Sequence, residues 1–158
     1  MHPVISSQRL LLTTVTAAGI ALAGCGGSSS SGGLSRAQLA SKANAACTSY
    51  NTAANSIPQP SDFTTNPVAA AAYLDKLKAL AGSTFVTITG LHPASSVKPD
   101  FVHYIAAERR SIGYLTAADA RAHAKNPAGL KDLAAAAKYK RTTIVPLATR
   151  LGFTACIK

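Results

Sequence analysis

Apolar residues recur at helical spacing in four stretches of the chain, and turn-forming residues separate these stretches. In the first, over residues 36–56, steps of three and four place the apolar side chains on one face of an α-helix. They are Ala40, Ala43, Cys47, Tyr50, Ala54 and Ile57. Ser35 with Gln38 three residues later is typical of a capping box, and the prolines Pro58 and Pro60 end the helix.

A second helix is predicted from Asn66-Pro67, where an N-cap residue precedes a first-turn proline, to Gly90. Its apolar face consists of Ala70, Leu74, Leu77, Ala81, Phe85 and Ile88. The β-branched residues between 84 and 89 also fit a short strand, but no second strand is near enough in sequence to pair with it. We therefore expect the helix to continue to Gly90.

Two longer stretches follow in the second half of the chain. The third helix is predicted to begin at Pro99, with Asp100 favourable in its first turn, and to end near Lys125. Its apolar positions are Phe101, Ile105, Ile112, Leu115 and Ala122. The fourth opens at Asn126-Pro127 and runs to Leu151. Its apolar positions are Leu130, Leu133, Ala137, Ile144, Leu147 and Leu151.

Pro146 lies inside the fourth stretch. Because proline lacks an N–H and clashes with the carbonyl four residues earlier, we expect the helix to kink or restart there. Gly152 fits the left-handed position just past a helix end, with Phe153 folding back on the last turn. Together the four stretches predict an all-α domain over residues 35–158, an antiparallel up-down-up-down four-helix bundle.

The first 24 residues have the pattern of a secretory signal, with Arg9 followed by an apolar run from Leu10 to about Leu22. The run is about 13 residues long, shorter than the roughly 20 that a membrane-spanning helix needs. We therefore expect residues 1–24 to be removed. Only glycine and serine occupy residues 26–33, so residues 25–34 are predicted to form the modified N-terminus and a flexible tether.

Leu22-Ala23-Gly24-Cys25 resembles the lipobox of bacterial lipoproteins in all four positions. The resemblance implies that Cys25 becomes the first residue of the mature protein and carries lipid, such as palmitate, through its sulfur. It also implies an extracytoplasmic protein of the cell envelope, anchored to the cell membrane by that lipid. The alternative is an ordinary signal peptide cleaved elsewhere, with Cys25 a plain thiol.

Cys47 and Cys156 remain as an even pair once Cys25 is assigned to the lipid. In an exported protein such a pair predicts a disulfide bond, and two separate buried thiols are the alternative. In an antiparallel bundle the fourth helix ends beside the start of the first, so the tail after Gly152 can reach back to Cys47.

The whole mature chain resembles a group of exported actinobacterial lipoproteins of unknown function. The resemblance rests on the lipobox and on two further segments. These are Asn44-Ala45-Ala46-Cys47 in a first Ala-rich helix and Leu151-Gly152-Phe153-Thr154-Ala155-Cys156 at the end. It implies the fold and the location, and it implies no activity.

Glu108 and Asp119 are the two carboxylates that fall on or near the apolar face of a predicted helix. They are eleven positions apart, which corresponds to about 16 Å along a helix and is too far for a paired-carboxylate active site. We expect each to pair with Arg or Lys from a neighbouring helix. A polar functional site inside the bundle is the alternative.

The histidines His92, His103 and His123 show no i, i+4 pair, and no free cysteine accompanies them, so no metal site is predicted. His123 lies near a helix C-terminus, one turn after Asp119, and both neighbours favour its positive charge. No Gly-x-Ser-x-Gly elbow or phosphate-binding glycine loop is present. We therefore predict neither an enzyme nor a cofactor.

Positive charge concentrates in the second half of the chain. Residues 98–158 include eleven Lys or Arg and four carboxylates, and Lys138, Lys140 and Arg141 form the densest group. This surface either keeps an Ala-rich domain soluble or attracts anionic lipid headgroups or acidic envelope polymers. Nucleic acid is not expected as a partner of an exported chain with few aromatic residues to stack on bases.

Two functions fit these features. The leading hypothesis is a membrane-anchored envelope lipoprotein whose helical domain is a non-enzymatic interaction module with an unknown protein partner. The alternative is a carrier that holds a small apolar ligand in the bundle core, where small alanine side chains beside Phe85, Phe101, Tyr104 and Tyr114 leave space. A tight core favours the first hypothesis, and a continuous apolar cavity favours the second.

Overall fold

The computed structural model of the chain describes residues 32–126 and 128–158. Five α-helices and one π-helical turn form the described part: α1 Arg36–Asn55, α2 Pro67–Thr89, α3 Lys98–His123, α4 Gly129–Tyr139, the π-turn Lys140–Ile144 and α5 Val145–Leu151. None of the helices in these two ranges is long and apolar enough to cross a membrane. The predicted all-helical bundle is confirmed.

Some predicted features lie outside the described residues. They are the signal peptide over residues 1–24, the lipid-bearing Cys25 with the tether up to residue 31, the first-turn Pro127 and the side chain of Leu130.

Side-chain caps fix the starts of the first two helices. The Ser35 hydroxyl accepts a hydrogen bond from the Gln38 N–H at 3.4 Å, and the Gln38 side chain accepts one from the Ser35 N–H at 3.0 Å. Asn66 Oδ1 accepts from the N–H groups of Val68 and Ala69 at 3.1 and 3.2 Å. Both predicted caps are confirmed, and each satisfies backbone donors that the first turn of a helix leaves free.

Contacts between side chains give the directions of neighbouring helices. Asp75 near the start of α2 meets His123 at the end of α3, and Phe85 further along α2 meets Arg109, so α2 and α3 are antiparallel. The pairs Arg121–Asp132 and Tyr114–Tyr139 give the same relation for α3 and α4. α1 contacts α2 on one side and α5 on the other.

The predicted interruption at Pro146 takes the form of a π-turn. The Val145 N–H donates to the carbonyl of Lys140, five residues earlier, and Pro146 lies in the first turn of α5. Proline is tolerated in the first turn of a helix, because the N–H that it lacks would have no partner there. In the π-turn before it, each backbone hydrogen bond spans five residues instead of four. The helix therefore restarts at Val145.

The π-turn also corrects one predicted core position. Ala137 is exposed, and Ala136 is half-buried in its place. A regular helix places a residue seven positions before the buried Ile144 on the same face, which predicts Ala137. The additional residue of the π-turn moves that face to eight positions before Ile144.

The core consists of two separate clusters. The larger joins the two ends of the chain and includes Leu39, Ala43, Cys47, Ile88, Val97, Phe101, Tyr104, Ala107, Ile144, Ala148, Leu151 and Phe153. The smaller lies at the other end of α2 and α3 and contains Ala70, Ala71, Leu74, Ala118 and Ala122. The predicted apolar positions between them, Ala81, Phe85, Ile105, Ile112 and Leu115, are only half-buried.

The C-terminal tail folds back on α1. Gly152 has a left-handed backbone with φ of 77°, and Phe153 beyond it is fully buried, as predicted. Cys47 and Cys156 lie at disulfide distance, with their Cα atoms 5.1 Å apart. Asn44 donates to the Gly152 carbonyl at 3.0 Å and accepts from the Ala155 N–H at 2.9 Å.

Asn51 adds a third hydrogen bond to the tail, from its side-chain amide to the Ala155 carbonyl at 2.9 Å. Neither asparagine was predicted to bond the tail. Their signal was present, because residues 44, 47 and 51 are spaced by three and four and therefore share the face of α1 that carries Cys47.

The segment before α1 is attached to the connection between α2 and α3. The Leu34 N–H donates to the His92 carbonyl at 2.7 Å, and the Ala94 N–H donates to the Leu34 carbonyl at 2.9 Å. Gly33 has a φ of 147°, and a Cβ there would lie 2.6 Å from the Ala94 nitrogen, so only glycine fits. Gly33 and Leu34 thus belong to the folded domain and not to the predicted tether.

Candidate ligand cavity between the helices

A half-enclosed cavity of about 240 Å³ lies between the two core clusters. Its walls come from α1, α2, α3, α4 and the π-turn. The lining residues are Cys47, Tyr50, Asn51, Ala81, Thr84, Phe85, Ile88, Tyr104, Ile105, Glu108, Ser111, Ile112, Leu115, Leu133, Ala136, Lys140, Ile144 and Cys156. Most of this surface is apolar, which matches the composition of small-molecule sites.

The sequence creates this space by placing small side chains at the middle of the bundle. Ala81 of α2 and Ala136 of α4 both point into the cavity wall, where a leucine would fill part of it. In addition, α1 contacts α2 and α5, but no substantial α1–α4 contact joins the described residues. The bundle is therefore closed at its α5 end and leaves a gap beside α4.

Glu108, Tyr104 and Lys140 give the cavity its polar wall. Burial raises the pKa of the Glu108 carboxyl, while the hydrogen bond with Tyr104 and the positive charge of Lys140 act against this shift. Burial and the neighbouring Glu108 raise the pKa of the Tyr104 hydroxyl. Lys140 Nζ also donates to the Lys158 carbonyl at 2.7 Å.

This wall can bind one polar group of a ligand. A carboxyl with a raised pKa either donates a hydrogen bond when neutral or accepts one when ionised. The lysine and tyrosine beside it add donors. The three side chains thus supply hydrogen-bond donors and acceptors beside apolar lining residues.

Replacing Glu108 with glutamine is expected to stabilise the protein at neutral pH and to leave its stability in acid unchanged. The folded-state pKa of Glu108 is raised above its ordinary value of 4.5, so the folded protein binds the proton of Glu108 more tightly than the unfolded chain does. The stability that this proton contributes is fully present below the unfolded-state pKa and is lost as pH rises through the folded-state pKa. Glutamine keeps the acceptor oxygen for Tyr104 and cannot ionise.

Urea unfolding of the wild type and the Glu108→Gln variant, from acid to neutral pH, measures this difference. The free energies of unfolding of the two proteins should coincide in acid and separate as Glu108 ionises. A difference that does not change with pH would contradict the assignment.

The structure separates the predicted basic group. Lys138 and Arg141 are exposed, whereas Lys140 is half-buried and lines the cavity. Helix spacing is the reason, since Lys138 and Arg141 are three residues apart and share a face, whereas Lys140 lies one turn before the buried Ile144. Binding of an anionic surface by Lys138, Lys140 and Arg141 stays a prediction.

Two of the four aromatic residues that were expected to leave a pocket line the cavity: Phe85 and Tyr104. Phe101 packs instead in the larger core cluster against Phe153. Tyr114 lies beside Tyr139, and the guanidinium of Arg110 is 5.1 Å from the centre of the Tyr139 ring. This contact is a cation–π pair.

A second polar cluster lies at the other end of α2 and α3. Lys78 Nζ bonds to Oδ2 of the buried Asp119 and lies 3.2 Å from Oδ1 of Asp75. His123 Nε2 is 3.0 Å from Asp75 Oδ2 and 3.6 Å from Asp119 Oδ1. The bond with Lys78, followed by that with His123, lowers the pKa of Asp75. Asp119 is also the main cause of the raised pKa of Lys78.

The expected ion pair of Asp119 with a neighbouring helix is therefore present. Glu108, by contrast, lies in the cavity, and the two carboxylates occupy different sites, as their spacing predicted. His92 and His103 are both exposed, and they lie apart from this cluster.

The comparisons of the chain with protein-family models, curated proteins and solved structures give no significant match.

Proposed function

We propose that this protein is an exported, lipid-anchored binding protein whose helical domain holds a small, mostly apolar ligand. The observation that carries the proposal is the cavity between the two core clusters. It is half-enclosed and about 240 Å³ in volume, so it is accessible from solvent and larger than the small voids left in a packed core. Here the lining residues are apolar except for a few polar groups that converge on one wall, which is the usual composition of a binding site.

The size and chemistry of the cavity define the ligand class. An apolar cavity of about 150 Å³ is known to bind benzene, so the present one suits a molecule of about two fused rings or a short acyl chain. The wall formed by Glu108, Tyr104 and Lys140 suits one polar group, such as a hydroxyl or an amine. The rest of the ligand would contact Phe85 and Ile112.

The proposed location rests on the lipobox resemblance at Cys25 and on the cysteine pair. Disulfides persist in oxidising compartments outside the cytosol, and Cys47 and Cys156 lie at disulfide distance. In this proposal the lipid on Cys25 attaches the protein to the cell membrane. The exposed Lys138 and Arg141 then face the envelope, where anionic lipid or acidic polymer would attract them.

Filling the cavity is expected to abolish ligand binding. Ala136 lines the cavity on α4, and the neighbouring Ala135 is exposed. In Ala136→Leu the larger side chain occupies ligand space, whereas Ala135→Leu adds the same atoms to the surface. The neutral two-ring naphthalene dye prodan, whose emission moves to shorter wavelength in apolar surroundings, is the probe. Titration should show binding by the wild type and Ala135→Leu, and binding at least tenfold weaker by Ala136→Leu.

Thermal unfolding by circular dichroism checks that both variants fold. If folded Ala136→Leu binds the dye as the wild type does, or if the wild type does not bind it at all, the cavity is not a ligand site. Mass spectrometry of small molecules extracted from the native protein then identifies the natural ligand.

The membrane anchor has its own test. Cys25→Ala removes the sulfur that would carry the lipid, so cells producing this variant should accumulate unprocessed precursor without lipid mass. The wild type should partition into the detergent phase with acylated Cys25 as its first residue. Normal processing of Cys25→Ala would refute the lipoprotein assignment and leave the cavity proposal untouched.

A further inference from the structure

The cluster of Asp75, Lys78, Asp119 and His123 has an arrangement that ion pairing alone does not explain. Each carboxylate gives one oxygen to Lys78 and directs the other toward His123. Asp75, Asp119 and His123 each offer one ligand atom, and these three atoms lie within 4.8 Å of one another.

Asp119 supplies an independent observation. It is 3% exposed, and its Oδ1 is buried without a hydrogen-bond partner among the described residues. Leaving a buried charged oxygen unsatisfied is costly in free energy, and nearly all buried polar groups find a partner. His123 Nε2, the nearest donor, is 3.6 Å away, which is beyond hydrogen-bond distance. A cation between the two atoms would satisfy this oxygen.

The spacing of the three atoms suits a small transition-metal ion. Zinc binds histidine nitrogen and carboxylate oxygen at about 2.0–2.2 Å, so neighbouring ligands of a tetrahedral ion are about 3.4 Å apart. The two separations from His123 Nε2, 3.0 and 3.6 Å, lie on either side of this value. Small side-chain adjustments would place all three around one ion.

We propose that Asp75, Asp119 and His123 bind one divalent transition cation of the zinc type. Lys78 acts as the outer partner, because it holds the second oxygen of each carboxylate and so fixes their orientation. The side chains of Asp75 and His123 are about half exposed, at 47% and 56%, so the fourth coordination position faces water. The ion joins α2 to α3 at the end of the bundle where the core is smallest.

The sequence predicted no metal site, because its histidines and cysteines do not have the spacing of metal ligands. The position of His123 one turn after Asp119 was explained by the favourable charge at a helix C-terminus. The structure adds Asp75 from another helix. The register between two antiparallel helices brings it within reach, and spacing along one helix cannot reveal it.

Zinc titration tests the site in the full chain carrying Cys25→Ser, which removes the cysteine outside the disulfide. The protein is purified in detergent without a histidine tag, treated with EDTA and titrated by calorimetry with Zn²⁺. The parent protein should bind one ion. His123→Ala should bind at least tenfold more weakly, and so should Asp75→Asn. His103→Ala, which removes an exposed histidine of the same helix, should bind as the parent does.

Nuclear magnetic resonance gives a second readout. Bound Zn²⁺ should shift the imidazole signals of His123 and leave those of His92 and His103 unchanged. Affinity should also fall in acid, because a protonated imidazole cannot bind the metal. Absence of stoichiometric binding, or undiminished binding by folded His123→Ala, would overturn the proposal. Neither result tests the cavity proposal, because the cavity test changes Ala136, which is not one of the three proposed metal ligands.

Discussion

Cys47→Ser is expected to lower the free energy of unfolding by about 2–5 kcal/mol, the usual cost of removing a native disulfide from a small exported domain. The two cysteines are 109 residues apart in sequence. Closing a loop of about 100 residues in the unfolded chain is worth about 4.7 kcal/mol in the chain-entropy model. Because a small domain has about 5–15 kcal/mol in total, the loss is a large fraction of its stability.

The controls distinguish the bond from the packing of a single residue. Cys47 is buried and Cys156 half-buried, so serine at position 47 introduces a small polar cost of its own. Urea unfolding should show that reductant destabilises the wild type and leaves Cys47→Ser unchanged. The double variant with Cys156→Ser should be about as stable as either single variant, since the bond is lost only once. Additive losses would show that the cysteines are not bonded.

The features that the sequence predicted are those determined by neighbouring residues. The capping residues Ser35 and Asn66 fixed the starts of α1 and α2, because their hydrogen-bond partners lie two or three residues away. Gly152 fixed the end of α5 for a similarly local reason. The β-branched residues 84–89 are helical, as predicted; Ile88 is buried in the larger core cluster, and Val86 is exposed.

The features that the sequence did not predict depend on relations between helices. The π-turn moved the buried face from Ala137 to Ala136, and a single helical period cannot describe both sides of an inserted residue. Lys140 was grouped with the exposed Lys138 and Arg141, but it lies one turn before the buried Ile144 and lines the cavity. Asp75 became a partner of His123 through the pairing of α2 with α3, and no local rule fixes that register.

The cavity was predictable only in part. Small alanine side chains along the apolar faces indicated that space was available, and Phe85 and Tyr104 do line it. However, the same composition also fits a bundle whose helices approach closely and leave no cavity. The position of α4 relative to α1 decides between the two, and this position follows from packing of the whole bundle.

Phe153→Ala is expected to destabilise the protein by about 3–5 kcal/mol, the usual cost of truncating a buried aromatic residue. Phe153 is fully buried, and its ring meets Tyr104 edge-to-face at 5.0 Å and Phe101 at 6.5 Å. Such aromatic pairs contribute about 0.5–1.5 kcal/mol beyond the buried area. The loss also loosens the tail that carries Cys156, because Phe153 holds the tail against the core.

Phe63→Ala is the matched control for this prediction. Phe63 is half-buried and forms a single edge-to-face pair with Tyr73, with ring centres 5.6 Å apart. It should therefore lose clearly less stability than Phe153→Ala. Phe153→Leu, which refills much of the space, should lie between the wild type and Phe153→Ala. Urea unfolding with the disulfide intact measures all three variants. If Phe63→Ala were as damaging as Phe153→Ala, the larger core cluster would not be the main source of stability. The tail would then be held mainly by Cys156 and by its hydrogen bonds with Asn44 and Asn51.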